Sequence, residues 1–222
     1  MACNPAARKA AKAIRRKAVV AAKRKVEGVT SGLGGQVRQA ARLPIMECRV
    51  SDGLFECGMG VVTLIRGASR AYQHIAFFMV DSFCLGVKNT FFRSLERHEA
   101  EHILEGMESS DPASFIAPAE ARKLLHDIVA WAGNNGFQPH IDYACMELLF
   151  GDVVPAETDY TSRLGYDGEV LYVPGPTETP AQVQRRMRTV RSRVGNTAAD
   201  RSILALASVL GSEMELAMDD EE

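Results

Sequence analysis

The chain has 222 residues, of which 46% are hydrophobic and 24% charged, and its formal net charge is −2. This length and composition predict one well-buried folded domain and exclude a chain that is disordered throughout. No apolar run is long enough to span a bilayer, and no apolar segment follows the first basic residues as it would in a secretory signal. The five cysteines are scattered without a C-x-x-C pair, which favours a reducing, cytoplasmic location over a disulfide framework.

Positive charge is concentrated near the N-terminus. Residues 8–42 contain eleven Lys or Arg and one acid, whereas the last ten residues contain six acids and no base. Residues 5–27 are rich in Ala, Lys and Arg and predict a helix with a thin apolar stripe. Because residues 28–35 predict a glycine hinge, we place a basic helical arm at 1–43, a single domain at 44–218 and the end of the acidic tail at 219–222.

Three consecutive strands are predicted at residues 45–50, 59–65 and 72–80, where β-branched and aromatic residues are bounded by turn residues. The third strand is apolar on both faces, which is typical of a central strand covered on both sides. The short links between the three segments predict an antiparallel meander.

Helices are predicted for most of the remaining chain. Asp81-Ser82 has the character of an N-cap and predicts a helix from about residue 83 to 107. Further helices are predicted at 118–133, 139–150, 180–193 and 198–216, with a small hairpin around Asp167-Gly168. The sequence therefore predicts an α+β fold, in which a small antiparallel β-meander is packed by several helices.

The basic arm is the first candidate for function. Its cations would contact phosphates without reading bases, which favours binding of RNA or DNA. The alternatives are that the basic segment is a solvated helix, or that it binds the acidic tail. The arginines at 185, 186, 188, 191 and 193 could extend the basic surface. The nucleic-acid-binding residues predicted in the arm are Arg8, Lys9, Lys12, Arg15, Arg16, Lys17, Lys23, Arg24 and Lys25.

A zinc-site pattern, H-E-x-x-H, is present at residues 98–102. On a helix, His98 and His102 would share one face and could hold Zn²⁺, with Glu99 as the general base. Glu120 or His126 could supply a third ligand. The surrounding residues are strongly charged, however, and are equally typical of a solvated helix with Glu–Arg pairs.

Two other groups of residues could carry catalysis. Asp81 follows the third strand, and Lys88, one helical turn beyond Cys84, could activate that thiol. The alternative is that Asp81 caps a helix, Cys84 is a core residue and Lys88 extends to water. His140 and Asp142 flank a predicted helix start, where His140 could carry protons; the alternative is that they cap the helix. Asp52 and Asp152 could join Asp81 as ligands for Mg²⁺ in a nuclease-like hydrolase.

Residues 76–92 (AFFMVDSFCLGVKNTFF) and 136–153 (GFQPHIDYACMELLFGDV) resemble a family of conserved, uncharacterised bacterial proteins. The resemblance includes the GMGVVTLIRG strand and the DGEVLYVPGP hairpin, and it covers roughly residues 45–190. It implies one shared domain and no activity, and it does not include the HEAEH segment.

The leading functional prediction is a cytoplasmic accessory protein that binds nucleic acid through its basic arm and needs no cofactor. The alternatives are a zinc-dependent hydrolase or peptidase, a Mg²⁺-dependent nuclease-like hydrolase, and a structural or partner-binding module.

Overall fold

The computed structural model describes residues 32–69, 72–175 and 178–204. Helix α1 (32–40) precedes five strands: β1 (Ile45–Ser51), β2 (Met59–Ser69), β3 (Tyr72–Asp81), β4 (Gly86–Glu96) and β5 (Ala113–Phe115). The other helices are α2 (Leu54–Cys57), α3 (Arg97–Ser110), α4 (Pro118–Asn134), α5 (Tyr143–Met146), α6 (Pro180–Arg193) and α7 (196–204). Two 3₁₀ turns occur at Glu147–Phe150 and Thr161–Arg163.

The strands form one antiparallel sheet in the order β4-β3-β2-β1-β5, so the predicted α+β class and meander are confirmed. The predicted central strand β3 has a neighbour on each side and is apolar on both faces. On one face, Ala76, Phe78 and Val80 pack with α4 in the largest core cluster. On the other face, Ile75 and Phe77 pack with Ala100 of α3 in a smaller cluster.

The predicted helix at 83–107 is wrong over its first half, because residues 86–96 form strand β4. Asp81 does not cap a helix, but its Oδ1 accepts hydrogen bonds from the amides of Phe83 and Cys84 at 3.1 and 2.8 Å. These amides belong to a four-residue hairpin loop rather than to a helix. Gly86 ends the loop with φ of 74°, and a Cβ there would lie 2.6 Å from the Ala132 Cβ, so the turn requires glycine at this position.

The predicted domain boundary at residue 43 also changes. Val37 and Ala40 of α1 are fully buried in the main core cluster, so residues 32–40 belong to the folded body rather than to a hinge. The buried guanidinium of Arg66 on β2 donates to the carbonyl oxygens of Ala41, Leu43 and Leu149. Arg66 thereby joins the end of α1 to the sheet.

The C-terminal part of the domain follows the prediction more closely. Helices α4 and α6 begin at Pro118 and Pro180, as predicted. The predicted helix at 139–150 is reduced to α5 and the following 3₁₀ turn. The predicted hairpin at 161–173 is reduced to one bridge between Tyr166 and Glu169 across the Asp167-Gly168 turn. The end of the predicted helix 198–216 lies outside the described residues.

Candidate functional site

A cleft of about 230 Å³ opens at one end of the sheet, where β2 begins and β3 ends. We call it the Asp81 cleft. The segment at 171–175 forms its outer wall, and the hairpin loop forms its floor. Its lining residues are Cys57, Gly58, Met59, Asp81, Phe83, Lys88, Leu171, Val173, Pro174 and Gly175.

Asp81 is a buried carboxyl group at the base of this cleft, with only 4% of its surface exposed. Burial raises the pKa of the Asp81 carboxyl to about 6, although the charge of Lys88 and the amides of Cys84, Leu85 and Phe83 act in the opposite direction. Asp81 is therefore placed to gain or lose a proton near neutral pH, which is a property common at functional sites.

Lys88 lies at the opposite side of the cleft base, on a β-bulge between β3 and β4. Its side chain is 15% exposed, and its Nζ lies 3.6 Å from Glu178 Oε1 and 3.8 Å from Met59 Sδ. The structure thus places Asp81 and Lys88 in the lining of the same cleft.

Cys84 is close to both residues but is not a reactive thiol. It is fully buried, and desolvation raises the pKa of its thiol well above the usual range. The thiolate is the nucleophilic form of cysteine, so Lys88 does not activate Cys84. The exposed thiol in this cleft is that of Cys57.

Glu178, which sequence reasoning missed, contacts two lining residues of the cleft, Lys88 and Gly175. Its carboxylate accepts hydrogen bonds from the Tyr172 hydroxyl and the Gly175 amide and forms an ion pair with Arg186. Burial acts to raise the pKa of Glu178, but these contacts outweigh it, and the pKa is lowered. No local sequence signal connects Glu178 with Lys88, because the two residues are far apart in the chain.

His140 and Asp142 do not join the Asp81 cleft. The backbone amide of His140 donates to the Val87 carbonyl at 2.8 Å, and its Nδ1 lies 3.4 Å from Thr90 Oγ1. The Asp142 amide donates to His140 Nδ1 at 3.3 Å. These contacts fasten the segment before α5 to the edge strand β4. Asp142 occupies the N-cap position of α5, but its side chain makes no capping hydrogen bond.

The HEAEH segment lies on α3, but its histidines face solvent. The His98 side chain is 77% exposed, His102 is also exposed, and the buried residue of the segment is Ala100. Glu99 closes a capping box by accepting from the Glu96 amide at 3.1 Å, and Arg97 donates to Glu101 at 2.6 Å. This arrangement is the solvated helix with Glu–Arg pairs that the charged flanks indicated.

The other residues considered as metal ligands are also engaged elsewhere. His126 Nε2 lies 2.6 Å from Glu147 Oε1, and Glu120 binds the hydroxyls of Thr158 and Tyr160. Asp152 lines a groove together with Arg66 of β2. Arg66 lies seven residues along the strand from Met59, which lines the Asp81 cleft, and seven strand residues span about 23 Å. Within residues 32–69, 72–175 and 178–204, no three His, Cys, Asp or Glu side chains are placed to share a metal ion.

The predicted arm residues from Arg8 to Lys25 lie outside the described residues, but the second basic segment is described. Helix α6 contains five arginines and no acid. Val183, Met187 and Val190 pack it against the domain, so the opposite side faces water. Arg185, Arg188, Arg191 and Arg193 are exposed, and none of them pairs with an acid of the described chain, whereas Arg186 is engaged by Glu178.

No helix in the described parts of the chain is both long and apolar enough to cross a membrane. Comparison with protein-family models, with curated proteins and with solved structures found no significant match to this chain.

Proposed function

We propose that the protein is a cytoplasmic accessory protein that binds RNA or DNA through the phosphate backbone. Two basic elements supply the contacts: the nine cations of residues 8–25 and the arginine face of α6, which we define as Arg185, Arg188, Arg191 and Arg193. The observation that carries the proposal is that these four arginines are exposed and unpaired by acids of the described chain.

The dimensions of the arginine face suit a polyanion. A helix rises about 1.5 Å per residue, so the face extends about 12 Å from Arg185 to Arg193. One strand of B-form DNA presents a phosphate every ~3.4 Å of axis, so three to four phosphates fall within this length. Arginine is suited to such contacts because its planar guanidinium donates two parallel hydrogen bonds to a phosphate.

The expected binding mode is tolerant of sequence. The arginine face contains no aromatic residue on which a base could stack, and the cations of residues 8–25 are likewise interspersed with alanine and valine. Phosphate contacts position a nucleic acid but carry no sequence information. We therefore expect similar affinity for unrelated sequences of equal length and strand number.

Fluorescence anisotropy with labelled RNA and duplex DNA of mixed sequence tests the proposal. We expect the double variant Arg185→Gln/Arg188→Gln to bind about tenfold more weakly than wild type at moderate salt. The matched control Arg93→Gln/Arg97→Gln removes the same charge from exposed positions on β4 and α3, and we expect it to bind within about twofold of wild type.

A third variant, in which the nine cations of residues 8–25 are replaced by glutamine, separates the two elements. We expect it to lose at least as much affinity as the α6 variant. Absence of binding by wild type, or equal losses in the α6 variant and its control, would contradict the proposal.

A further inference from the structure

The Asp81 cleft combines apolar walls with one poorly satisfied cation. Met59, Phe83, Leu171, Val173 and Pro174 supply the apolar surface. A cleft of about 230 Å³ is smaller than the ~300 Å³ at which typical ligand sites begin. It therefore suits a ligand that has only a compact apolar body and one polar group.

The cation is the Lys88 ammonium group. Its Nζ has only a sulfur at 3.8 Å and a carboxylate oxygen at 3.6 Å among its described neighbours, and the latter distance is too long for a hydrogen bond. The Lys88 side chain is 15% exposed, so these donors are open to the cleft. An anionic oxygen bound there would accept a charge-assisted hydrogen bond from the ammonium group.

The nearby Glu178 does not fill this role, because its carboxylate is already committed. It accepts from the Tyr172 hydroxyl and the Gly175 amide and pairs with Arg186. A rotation that brought Glu178 within hydrogen-bond distance of Lys88 would break these contacts. Lys88 therefore has only a long ion pair with Glu178, and its ammonium group remains available to a ligand in the cleft that it lines.

We propose that the Asp81 cleft binds a small monocarboxylic acid with a compact apolar body, whose carboxylate pairs with Lys88 and whose body packs against Phe83 and Val173. A ligand with one negative charge matches one available cation. A phosphate dianion would meet the repulsion of Asp81 and Glu178 with too little compensating charge. A fully apolar ligand would leave the Lys88 donors unmatched.

Asp81 links this binding to pH. When it is neutral, the Asp81 carboxyl group ceases to repel the ligand carboxylate and can donate a hydrogen bond to it. The groups around Asp81 are Lys88 on β4, the buried Cys84 thiol in the hairpin loop and the exposed Cys57 thiol at the end of α2. Glu178 pairs with Lys88 and with Arg186. Because the Asp81 proton is bound near pH 6, we expect tighter ligand binding at pH 5.5 than at pH 7.5.

Benzoate and isovalerate are suitable probes, and benzylamine is the control of opposite charge. NMR titration of the full-length protein should give saturable binding of at least one acid, with a dissociation constant of about 1 mM at pH 5.5, and no binding of benzylamine. Occupation of the cleft should also slow alkylation of Cys57 by iodoacetamide.

Three variants and one matched control test the site. Lys88→Met should reduce the affinity about tenfold or more, because a charge-assisted hydrogen bond is lost. The matched control Lys123→Met alters another partly buried lysine, which pairs with Asp127 on α4, and should leave the affinity unchanged. Val173→Phe should fill the cleft and remove binding while keeping both charged residues. Asp81→Asn should bind without pH dependence.

The proposal is overturned if neither acid binds wild type at ten times the expected dissociation constant. It is equally overturned if Lys88→Met, shown to be folded by its unfolding curve, binds as well as Lys123→Met. Because these variants leave the arginine face intact, failure here leaves nucleic-acid binding unaffected, and the two proposals are tested separately.

Discussion

Asp81 illustrates how one buried side chain can carry both structure and pH sensitivity. Its carboxyl group holds the hairpin loop by accepting backbone amides, and yet it is almost completely removed from water. A carboxylate in this position is stabilised by its hydrogen bonds and destabilised by desolvation, and desolvation is the larger effect.

The first prediction concerns the stability that this carboxyl group contributes. Because the pKa is about 6 in the folded chain and 3.8 unperturbed, the folded state binds the proton more tightly than the unfolded state. The free energy of unfolding should therefore fall by up to about 3 kcal/mol as pH rises from about 4 to 7. Asparagine keeps an acceptor oxygen but does not titrate, so Asp81→Asn should lack this contribution.

Urea unfolding of wild type and Asp81→Asn at pH 4.5 and pH 7.5 measures this effect. The variant should gain stability relative to wild type as pH rises. A difference between the two proteins that is the same at both pH values would show that Asp81 has an ordinary pKa.

The second prediction concerns the thiols. Iodoacetamide should modify Cys57 in the native protein, because that thiol is exposed. Burial raises the pKa of Cys48 to about 12 and raises the pKa of Cys84 further, so both should react only after unfolding. Peptide mass spectrometry after timed labelling gives the order, and comparable native labelling of Cys84 and Cys57 would contradict the described hairpin.

Strand β4 shows why a strand can be predicted as a helix from its pattern of apolar residues. The apolar residues at 85, 87, 91, 92 and 95 fit a helical period as well as a strand. In the structure, Lys88 is an extra residue at a bulge, so the buried positions change from Val87 to Thr90 and Phe92. A bulge interrupts the two-residue alternation by which strands are recognised.

Elements whose periodicity is uninterrupted were predicted well. Helix α4 has Ala121, Leu124, Leu125 and Ile128 on one face, and all four are fully buried. Helix α1 was missed as part of the body because its glycines indicated a hinge. Its burial depends on contacts with Arg66 and the main core, which lie far away in sequence.

The third prediction tests the hairpin between β3 and β4. Gly86→Ala should lower the free energy of unfolding by at least about 2 kcal/mol, because an alanine there combines an unfavourable positive φ with a clash against Ala132. The matched control is Gly106→Ala in α3, where a Cβ meets nothing within 4 Å. That change should stabilise the protein by about 0.5–1 kcal/mol.

Denaturant unfolding at a single pH compares these two variants directly. Equal effects of the two substitutions would contradict the positive φ of Gly86 and its close approach to Ala132 in the described hairpin.

At the scale of the whole molecule, the two candidate sites differ in how far sequence reasoning could reach them. Asp81 and Lys88 belong to one hairpin and line the same cleft, so the sequence could group them, although it did not predict the structure between them. The cleft itself was not predicted, because its outer wall and Glu178 come from residues about ninety positions later. The sequence shows that α6 is rich in arginine. Only the packing of Val183, Met187 and Val190 shows which side of α6 faces water.

The two proposed binding sites, the arginine face and the Asp81 cleft, are formed by different parts of the fold. The arginine face lies on α6, on the solvent side of that helix, whereas the Asp81 cleft lies at the end of the sheet. Arg186 and Glu178 belong to the segment that connects them: Arg186 is part of α6, and its partner Glu178 contacts Lys88.

The fourth prediction tests the central proposal that the protein binds nucleic acid through phosphate contacts. The measurement is the salt dependence of the affinity of the protein for duplex DNA. The logarithm of the association constant should fall linearly with the logarithm of the salt concentration, by about 0.9 for each phosphate contact. Arg185→Gln/Arg188→Gln should reduce that slope by about two, while Arg93→Gln/Arg97→Gln should leave it unchanged. An affinity that is independent of salt, or a slope that is the same in all three proteins, would contradict the proposed function.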